Sequence, residues 1–155
     1  MVNLRSYGHG YNEILELALD DINTPNLNII CYGGMLDLIE NVCKNLFIEH
    51  ELNIKIILIT NISNVKKQIY EKIISKDILT IVVEEGTETF NFSSEIKSVM
   101  NNYEIYNIST KLGIIPNSLK LEKKYLLDIE NITDFIKDKL NIWLILHQDF
   151  IIKII

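Results

Sequence analysis

Two adjacent carboxylates, Glu84 and Glu85, are the side chains in this sequence whose types best suit acid–base chemistry. They follow the apolar run Ile78 to Val83 and precede Gly86. Neighbouring residues of a strand point to opposite faces, so these two groups cannot act on one reacting atom. We therefore expect one glutamate to cap or brace a neighbouring loop and the other to be solvated.

The second candidate is the pair Gly33 and Gly34, which follows Tyr32 and precedes an amphipathic segment. Backbone amides in a glycine turn before a helix can bind an anion. The sequence lacks both the dinucleotide-binding fingerprint and the Walker lysine, which weakens that interpretation. A tight strand-to-helix turn that requires a positive φ is the favoured one.

Histidines and cysteines give no recognisable site. His9, His50 and His147 lie far apart, and none has a ligand-type residue at metal-binding spacing. We keep His9 as a remote catalytic candidate, although a surface histidine is the simpler interpretation. Cys31 and Cys43 are too few for a zinc site, and their apolar surroundings predict buried, reduced thiols. The residues alone therefore predict a domain without a complete active site.

Composition narrows the class of protein. The chain has 155 residues, of which 48% are hydrophobic and 23% charged, and this suits one folded domain. A formal net charge of −6 argues against nucleic-acid binding, which needs clustered Lys and Arg. The sequence has no apolar signal-peptide core at its start and no apolar run of membrane length, so we predict a cytoplasmic protein that does not bind a membrane.

The candidate residues lie between alternating strand-like and helix-like segments. Because the alternation repeats about every 25 residues, it predicts a parallel sheet with helices on both faces, an α/β fold. Ligands usually bind at the carboxyl ends of such strands, where Gly33–Gly34 and Glu84–Gly86 fall. The predicted strands are Leu27 to Cys31, Ile54 to Ile59, Ile78 to Val83 and Glu104 to Ile108. The predicted helices are Met35 to His50, Asn64 to Ser75, Ser93 to Met100 (capped by Ser93 or Ser94) and Asp128 to Leu140.

The two ends of the chain are organised differently from its centre. Residues 1–26 are predicted to be an N-terminal extension, with Val2 to Ser6 as an edge strand and Tyr11 to Ile22 as an extra helix that Pro25 ends. Residues 27–140 form the predicted α/β domain.

Residues 141–155 form an apolar C-terminal tail. Trp143 and Phe150 make it a candidate self-association surface, because large aromatic side chains dominate such contacts. Packing of the tail on its own domain is an equally good alternative.

The residues at the ends of these strands and helices resemble the motifs of a known family. Tyr32-Gly33-Gly34-Met35 resembles the T-Y-G-x-M turn of the C-terminal domain shared by transketolases and the β subunits of 2-oxoacid dehydrogenases. Ile81 to Gly86 resembles the family's V-V-V-E-E-G strand end, and Ser94-Glu95-Ile96 stands where the family has A-E-I. Further along, Ile115-Pro116, Leu121-Glu122 and Tyr125-Leu126-Leu127 resemble its I-P, L-E and Y-L-P segments. The order and spacing of these motifs cover roughly residues 27–140.

The resemblance implies a three-layer α/β/α fold with a mostly parallel, five-stranded sheet whose first strand runs antiparallel. In the family this domain builds the dimer interface and supports the active-site entrance, while two other domains bind thiamine diphosphate and Mg²⁺. We therefore expect no cofactor on this chain alone and a partner polypeptide that carries the thiamine-diphosphate-binding domains. A homodimer or hetero-oligomer follows, with Gly33, Gly34, Glu84, Glu85 and Gly86 at the edge that faces the partner or the active-site entrance.

Two departures from the family pattern are visible. Where the family has L-R-T-x-x-P after its second strand, this chain has Ile59 to Asn64, without the Arg or the Pro. The glycines that usually follow E-E-G are replaced by Thr89-Phe90-Asn91-Phe92-Ser93. These losses remove a fixed charge and some backbone freedom.

Three hypotheses follow. The first is a C-terminal domain or small subunit of a split thiamine-diphosphate enzyme, a transferase or oxidoreductase that acts on ketose phosphates or 2-oxoacids. The second is a stand-alone, non-catalytic binding or assembly module that kept the fold, and the two departures favour it. The third is an independent small enzyme, which no constellation of residues supports.

Overall fold

A computed structural model describes residues 3–7, 14–62, 67–89, 91–110, 118 and 125–142. Its strands are β1 (Asn3–Tyr7), β2 (Ile14–Ala18), β3 (Leu27–Tyr32), β4 (Ile54–Ile59), β5 (Thr80–Thr87) and β6 (Ile105–Thr110). Its helices are α1 (Met35–His50), α2 (Lys67–Ile73), α3 (Phe92–Val99) and α4 (Ile129–Lys139). The four strands and four helices predicted for the centre of the chain are therefore confirmed, with small shifts at their ends. Residues 64–66, the predicted start of the second helix, lie outside the described residues.

One sheet joins all six strands in the order β1-β2-β4-β3-β5-β6. The four strands β4, β3, β5 and β6 are parallel, whereas β2 runs antiparallel to both β4 and β1. The expected α/β fold with a mostly parallel, five-stranded sheet is present as β2 to β6. The edge strand β1 adds a sixth, close to the Val2 to Ser6 segment.

Two apolar layers hold the helices on the sheet, because successive side chains of the buried strands point to opposite faces. On one face, Ile29 and Ile81 pack with α1 and α4 through Ile39, Val42, Ile132 and Ile136. On the other face, Ile30, Ile57 and Val82 pack with α2 and α3 through Tyr70, Ile73, Phe92 and Ile96. Full burial of one such isoleucine contributes about 1.5–3 kcal/mol.

The extra helix expected over Tyr11 to Ile22 is wrong, because Ile14–Ala18 is strand β2. Its side chains alternate strictly between buried and half-buried, and it pairs on both sides with β1 and β4. The alternation of Ile14, Glu16 and Ala18 with Leu15 and Leu17 is the period of two that a strand needs.

Other expectations have mixed outcomes. Cys31 and Cys43 are free and buried, as predicted, and burial raises the pKa of each thiol to about 12. Among the residues described, no helix is both long and apolar enough to cross a bilayer. Trp143 and Phe150 lie outside the described residues.

Candidate partner-contact edge

The carboxyl ends of β3 and β5 lie side by side, and they place both candidate segments at one edge of the sheet. Ile29 and Ile30 of β3 pair in parallel with Ile81 and Val82 of β5. Tyr32 therefore comes next to Glu84, and the turn at Gly33 lies at the same edge as the turn after Glu84. We name this region the carboxyl edge.

Gly33 and Gly34 form the turn between β3 and α1. Gly33 has a φ of +57°, the left-handed conformation that glycine adopts without a steric penalty. Gly34 is the N-cap residue of α1, with a φ of −67°, and no side chain caps this end of the helix. Both glycines are exposed, and a Cβ at either position would meet no atom within 4 Å. The predicted turn with positive φ is confirmed at Gly33.

Glu84 is fully buried, and its carboxylate forms hydrogen bonds within the domain. Its carboxylate accepts hydrogen bonds from the backbone amides of Phe92 at 2.9 Å and Ser93 at 3.0 Å, the first two residues of α3. A negative charge is favourable at a helix N-terminus, where amides are unpaired and the helix dipole is positive. Glu84 thus ties the end of β5 to the start of α3.

Asn91, rather than the predicted Ser93 or Ser94, is the N-cap residue of α3. Its side-chain oxygen accepts from the amide of Ser94 at 3.0 Å, and the hydroxyls of Ser93 and Ser94 donate to the same oxygen at 2.8 Å each. Together with Glu84, Asn91 occupies the amides that an external anion would otherwise reach.

Tyr32 covers the buried carboxylate from the solvent side. Its hydroxyl donates to Oε2 of Glu84 at 3.4 Å, and its ring packs edge-on against Phe92 at a centroid distance of 5.3 Å. Burial, followed by the charge and hydrogen bond of Glu84, raises the pKa of Tyr32 above its ordinary value. The hydroxyl therefore stays protonated and remains a donor to Glu84.

Glu85 and Gly86 differ from Glu84 in exposure. Glu85 is exposed and Gly86 is half-buried. The Thr110 hydroxyl lies 2.9 Å from the carbonyl oxygen of Glu85 and 2.7 Å from that of Gly86, and it holds their backbone by sharing its one hydrogen between them. A Cβ on Gly86 would lie 3.4 Å from Oε2 of Glu84, at the near limit of ordinary van der Waals contact. The expected division is confirmed, with Glu85 exposed and Glu84 in the capping role, although Glu84 caps the start of α3 and not a loop.

The histidines do not join this edge. His50 is the last residue of α1, and its ring lies 3.6 Å from the carboxylate of Glu49. His9 and His147 lie outside the described residues. Within the described ranges, no group of three His, Cys, Asp or Glu side chains could hold a metal ion.

Sequence reasoning missed a second buried carboxylate, Glu16, and its partner Lys55. Glu16 of β2 and Lys55 of β4 form an ion pair at 2.9 Å, with side chains only 3% and 8% exposed. The signal was an isolated lysine in the otherwise apolar strand Ile54–Ile59, because a buried charge requires a partner. The partner was hidden because its segment had been assigned to a helix.

The fold and this edge define a class: a three-layer α/β/α domain whose buried glutamate ties the central strand β5 to the next helix. The family model of the transketolase C-terminal domain matches residues 18–132, most of the chain. This chain therefore belongs to the transketolase C-terminal domain family. A comparison with curated proteins found no match.

Two solved structures share the fold at low sequence identity. One is a split-gene transketolase described as an inactive β4 tetramer, with a TM-score of 0.62 and 14% identity over 76% of this chain and 40% of its own. The other is the 2-oxoglutarate:ferredoxin oxidoreductase from Magnetococcus marinus, with a TM-score of 0.58 and 14% identity over 83% of this chain and 20% of its own. This chain thus spans less than half of either protein.

Proposed function

We propose that this chain acts as a C-terminal domain or small subunit of a split thiamine-diphosphate enzyme, of the transketolase or 2-oxoacid dehydrogenase type. It contributes assembly and support of the active-site entrance, without a complete active site of its own. The observation that carries the proposal is the match of residues 18–132 to the family model of the transketolase C-terminal domain.

The chemistry of the carboxyl edge supports a structural role. Its carboxylate, Glu84, accepts from two backbone amides and, at 3.4 Å, from the Tyr32 hydroxyl, and it is 0% exposed, so a substrate proton does not reach it. A general base must reach the proton that it abstracts, and Glu84 is occupied inside the fold. In the proposed assembly, the catalytic groups come from another polypeptide.

Thiamine diphosphate and Mg²⁺ belong on that other polypeptide. The cofactor supplies a carbanion that attacks carbonyl carbons, and its diphosphate needs a Mg²⁺ site with oxygen ligands. The described residues do not fit this group, because they contain no cluster of three potential metal ligands. No step of the reaction is therefore assigned to this chain.

The carboxyl edge is the proposed contact surface for the partner. Gly33, Gly34 and Glu85 are exposed there. Exposed apolar side chains accompany them: Ile62, which follows β4, is 50% exposed, and Tyr125 and Leu126, which precede α4, are each 39% exposed. Apolar side chains beside polar ones are typical of protein contact surfaces.

Assembly is part of the same proposal. The chain forms a homodimer or hetero-oligomer in the cytoplasm, with Trp143 and Phe150 of the apolar tail as a self-association surface. The split-gene transketolase, described as an inactive tetramer of one subunit, is a precedent for a family member that assembles without activity.

Affinity purification of the tagged chain from its source organism, followed by mass spectrometry, tests the proposal. We expect a polypeptide with thiamine-diphosphate-binding domains to co-purify with the wild-type chain and to be depleted with Glu85→Ala. Recovery of this chain alone, under conditions that preserve weak complexes, contradicts the proposal.

A non-catalytic binding or assembly module is the second candidate, and the segment after β4 favours it. The family's Arg and Pro are absent from Ile59 to Asn64, and the exposed Ile62 lies in this segment. Thr60 stands where the family has its Arg, and the exposed apolar Ile62 two residues later suits a protein contact better than a charged substrate. Co-purification of proteins without thiamine-diphosphate domains would support this alternative.

A further inference from the structure

The buried pair Glu16 and Lys55 lines a cavity at the amino ends of the parallel strands, opposite the carboxyl edge. The cavity has a volume of about 400 Å³ and lies between β2, β4 and the last turn of α2. Its walls include Asn23, Ser75 and Ile78. The volume falls in the range of small-molecule sites, roughly 300–1,000 Å³.

The pair is incompletely satisfied by the protein. The Lys55 ammonium donates to Oε1 of Glu16 at 2.9 Å and to the carbonyl oxygen of Ile73 at 2.6 Å. An ammonium has three N–H groups, so one remains available. The second carboxylate oxygen of Glu16 accepts no hydrogen bond from any described residue, although the side chain is only 3% exposed.

We propose that this cavity binds a free α-amino acid. The ligand's carboxylate accepts the remaining N–H of Lys55, and its ammonium donates to the free oxygen of Glu16. The two charged groups of an α-amino acid are joined through a single carbon. This keeps them about one hydrogen-bond length apart, as Lys55 and Glu16 themselves are at 2.9 Å.

The charged side chains at the cavity favour a ligand that carries both a positive and a negative charge. The lining of the cavity carries two positive side chains, Lys55 and Lys72, and two negative ones, Glu16 and Glu71. A zwitterion can make a charge-assisted bond to each sign, whereas an anion or a cation is repelled by the groups of its own sign. A buried ion pair adds little stability compared with apolar residues of the same volume, so fold stability alone does not require one here. The pair leaves one donor and one acceptor at the cavity, and these match the ligand.

Isothermal titration of the full chain with each proteinogenic L-amino acid tests the proposal. We expect saturable binding of at least one of them. Acetate and methylamine, which carry one charged group each, bind at least about tenfold more weakly, because each forgoes one charge-assisted hydrogen bond. Absence of binding by every amino acid at millimolar concentration overturns the proposal.

Single-residue variants distinguish a loss of amino-acid binding from a loss of fold stability. Glu16→Gln and Lys55→Met should each weaken amino-acid binding by about tenfold or more. Since either change affects stability, Ser75→Tyr is the companion variant: Ser75 is exposed at the cavity wall, so a tyrosine blocks the mouth without altering the pair. Unchanged affinity in a folded Ser75→Tyr or Lys55→Met protein places the ligand elsewhere and contradicts the proposal.

Discussion

Glu84 and Glu16 are both buried on the sheet face covered by α2 and α3, yet the protein satisfies them in different ways. Glu84, at the carboxyl edge, accepts from two backbone amides and one hydroxyl. Glu16, toward the amino ends of the strands, accepts from one side chain, and its second oxygen has no partner among the described residues. Hydrogen bonds from backbone amides make the Glu84 carboxylate part of the fold. A single side-chain partner leaves one oxygen of Glu16 available to accept a hydrogen bond from a ligand.

The largest expected effect comes from breaking the side-chain pair. Lys55→Met leaves the Glu16 carboxylate buried without its counter-charge, and we expect the free energy of unfolding to fall by about 3 kcal/mol. Urea unfolding measures it. The double variant Glu16→Gln with Lys55→Met should recover most of the loss, because no unpaired charge remains. A double variant as unstable as Lys55→Met would show that the pair does more than neutralise a buried charge.

The second largest effect on stability is expected from removal of the Glu84 carboxylate, which accepts hydrogen bonds from backbone amides. Glu84→Ala leaves the amides of Phe92 and Ser93 buried without an acceptor, and we expect a loss of about 2 kcal/mol. Glu84→Gln keeps one acceptor oxygen and should lose about half as much. The same urea experiment checks both variants, and equal losses would mean that hydrogen bonding to α3 is not the main role of Glu84.

The cap of α4 offers an exposed carboxylate for comparison with both buried ones. The Asp128 side chain accepts from the amide of Asn131 at 2.8 Å, and Asp128→Ala should cost about 1 kcal/mol. The hydrogen bond from this amide, followed by that from the Asn131 side chain, lowers the pKa of Asp128. The stabilisation by the ionised cap is therefore complete above about pH 4, the ordinary value, and is lost as the pH falls through the lower pKa of the folded state.

Unfolding measurements from neutral pH down to acid, on wild type, Asp128→Asn and Asp128→Ala, check this prediction. The asparagine variant should keep the cap and lose its share of the acid dependence. An acid dependence identical in all three proteins would contradict it.

Substitution of the two glycines of the β3–α1 turn should have a smaller effect on stability, and the second glycine serves as the control for the first. Gly33→Ala places a side chain at a φ of +57°, and we expect a loss of about 1 kcal/mol from backbone strain alone, because the space around the Cβ is open. Gly34→Ala, at a φ of −67°, should change stability by less than about 0.5 kcal/mol. Equal melting temperatures for the two variants would contradict this difference.

Glu85→Ala should have the smallest effect on the fold, below about 0.5 kcal/mol, because the side chain is exposed. If the carboxyl edge faces a partner, the same change should weaken association by about fivefold, the size expected of an exposed charge at a contact rim. Titration against the co-purified partner, beside thermal unfolding, measures both quantities. Equal loss of stability and of association would contradict the assignment of Glu85 to a contact surface.

The sequence predicted the features that depend on local pattern. Helix α1 has the predicted bounds, Met35–His50, because its apolar residues recur at helical spacing. The different fates of Glu84 and Glu85 followed from strand alternation alone. In both cases the pattern of neighbouring residues in the sequence is enough to predict the structure.

The features that depend on distant neighbours were not predictable. Ile14–Ala18 is a strand because it pairs with both β1 and β4, and its five residues also suited a helix. Without that strand, Lys55 had no visible partner. Asn91 was overlooked as a cap because Ser93 and Ser94 are equally good cap residues, and the contacts of Glu84 with Phe92 and Ser93, which favour a start at Phe92, are visible only in the structure.

We propose that this chain completes an enzyme whose cofactor lies on another polypeptide. The most direct test is a reconstitution assay, in which the purified chain is titrated into the co-purified thiamine-diphosphate-binding subunit while turnover of a ketose phosphate or a 2-oxoacid is followed. We expect little turnover from either component alone and a saturable rise when they are combined, with a higher half-saturating concentration for Glu85→Ala. Turnover by the partner that does not change when the chain is added would contradict the claim.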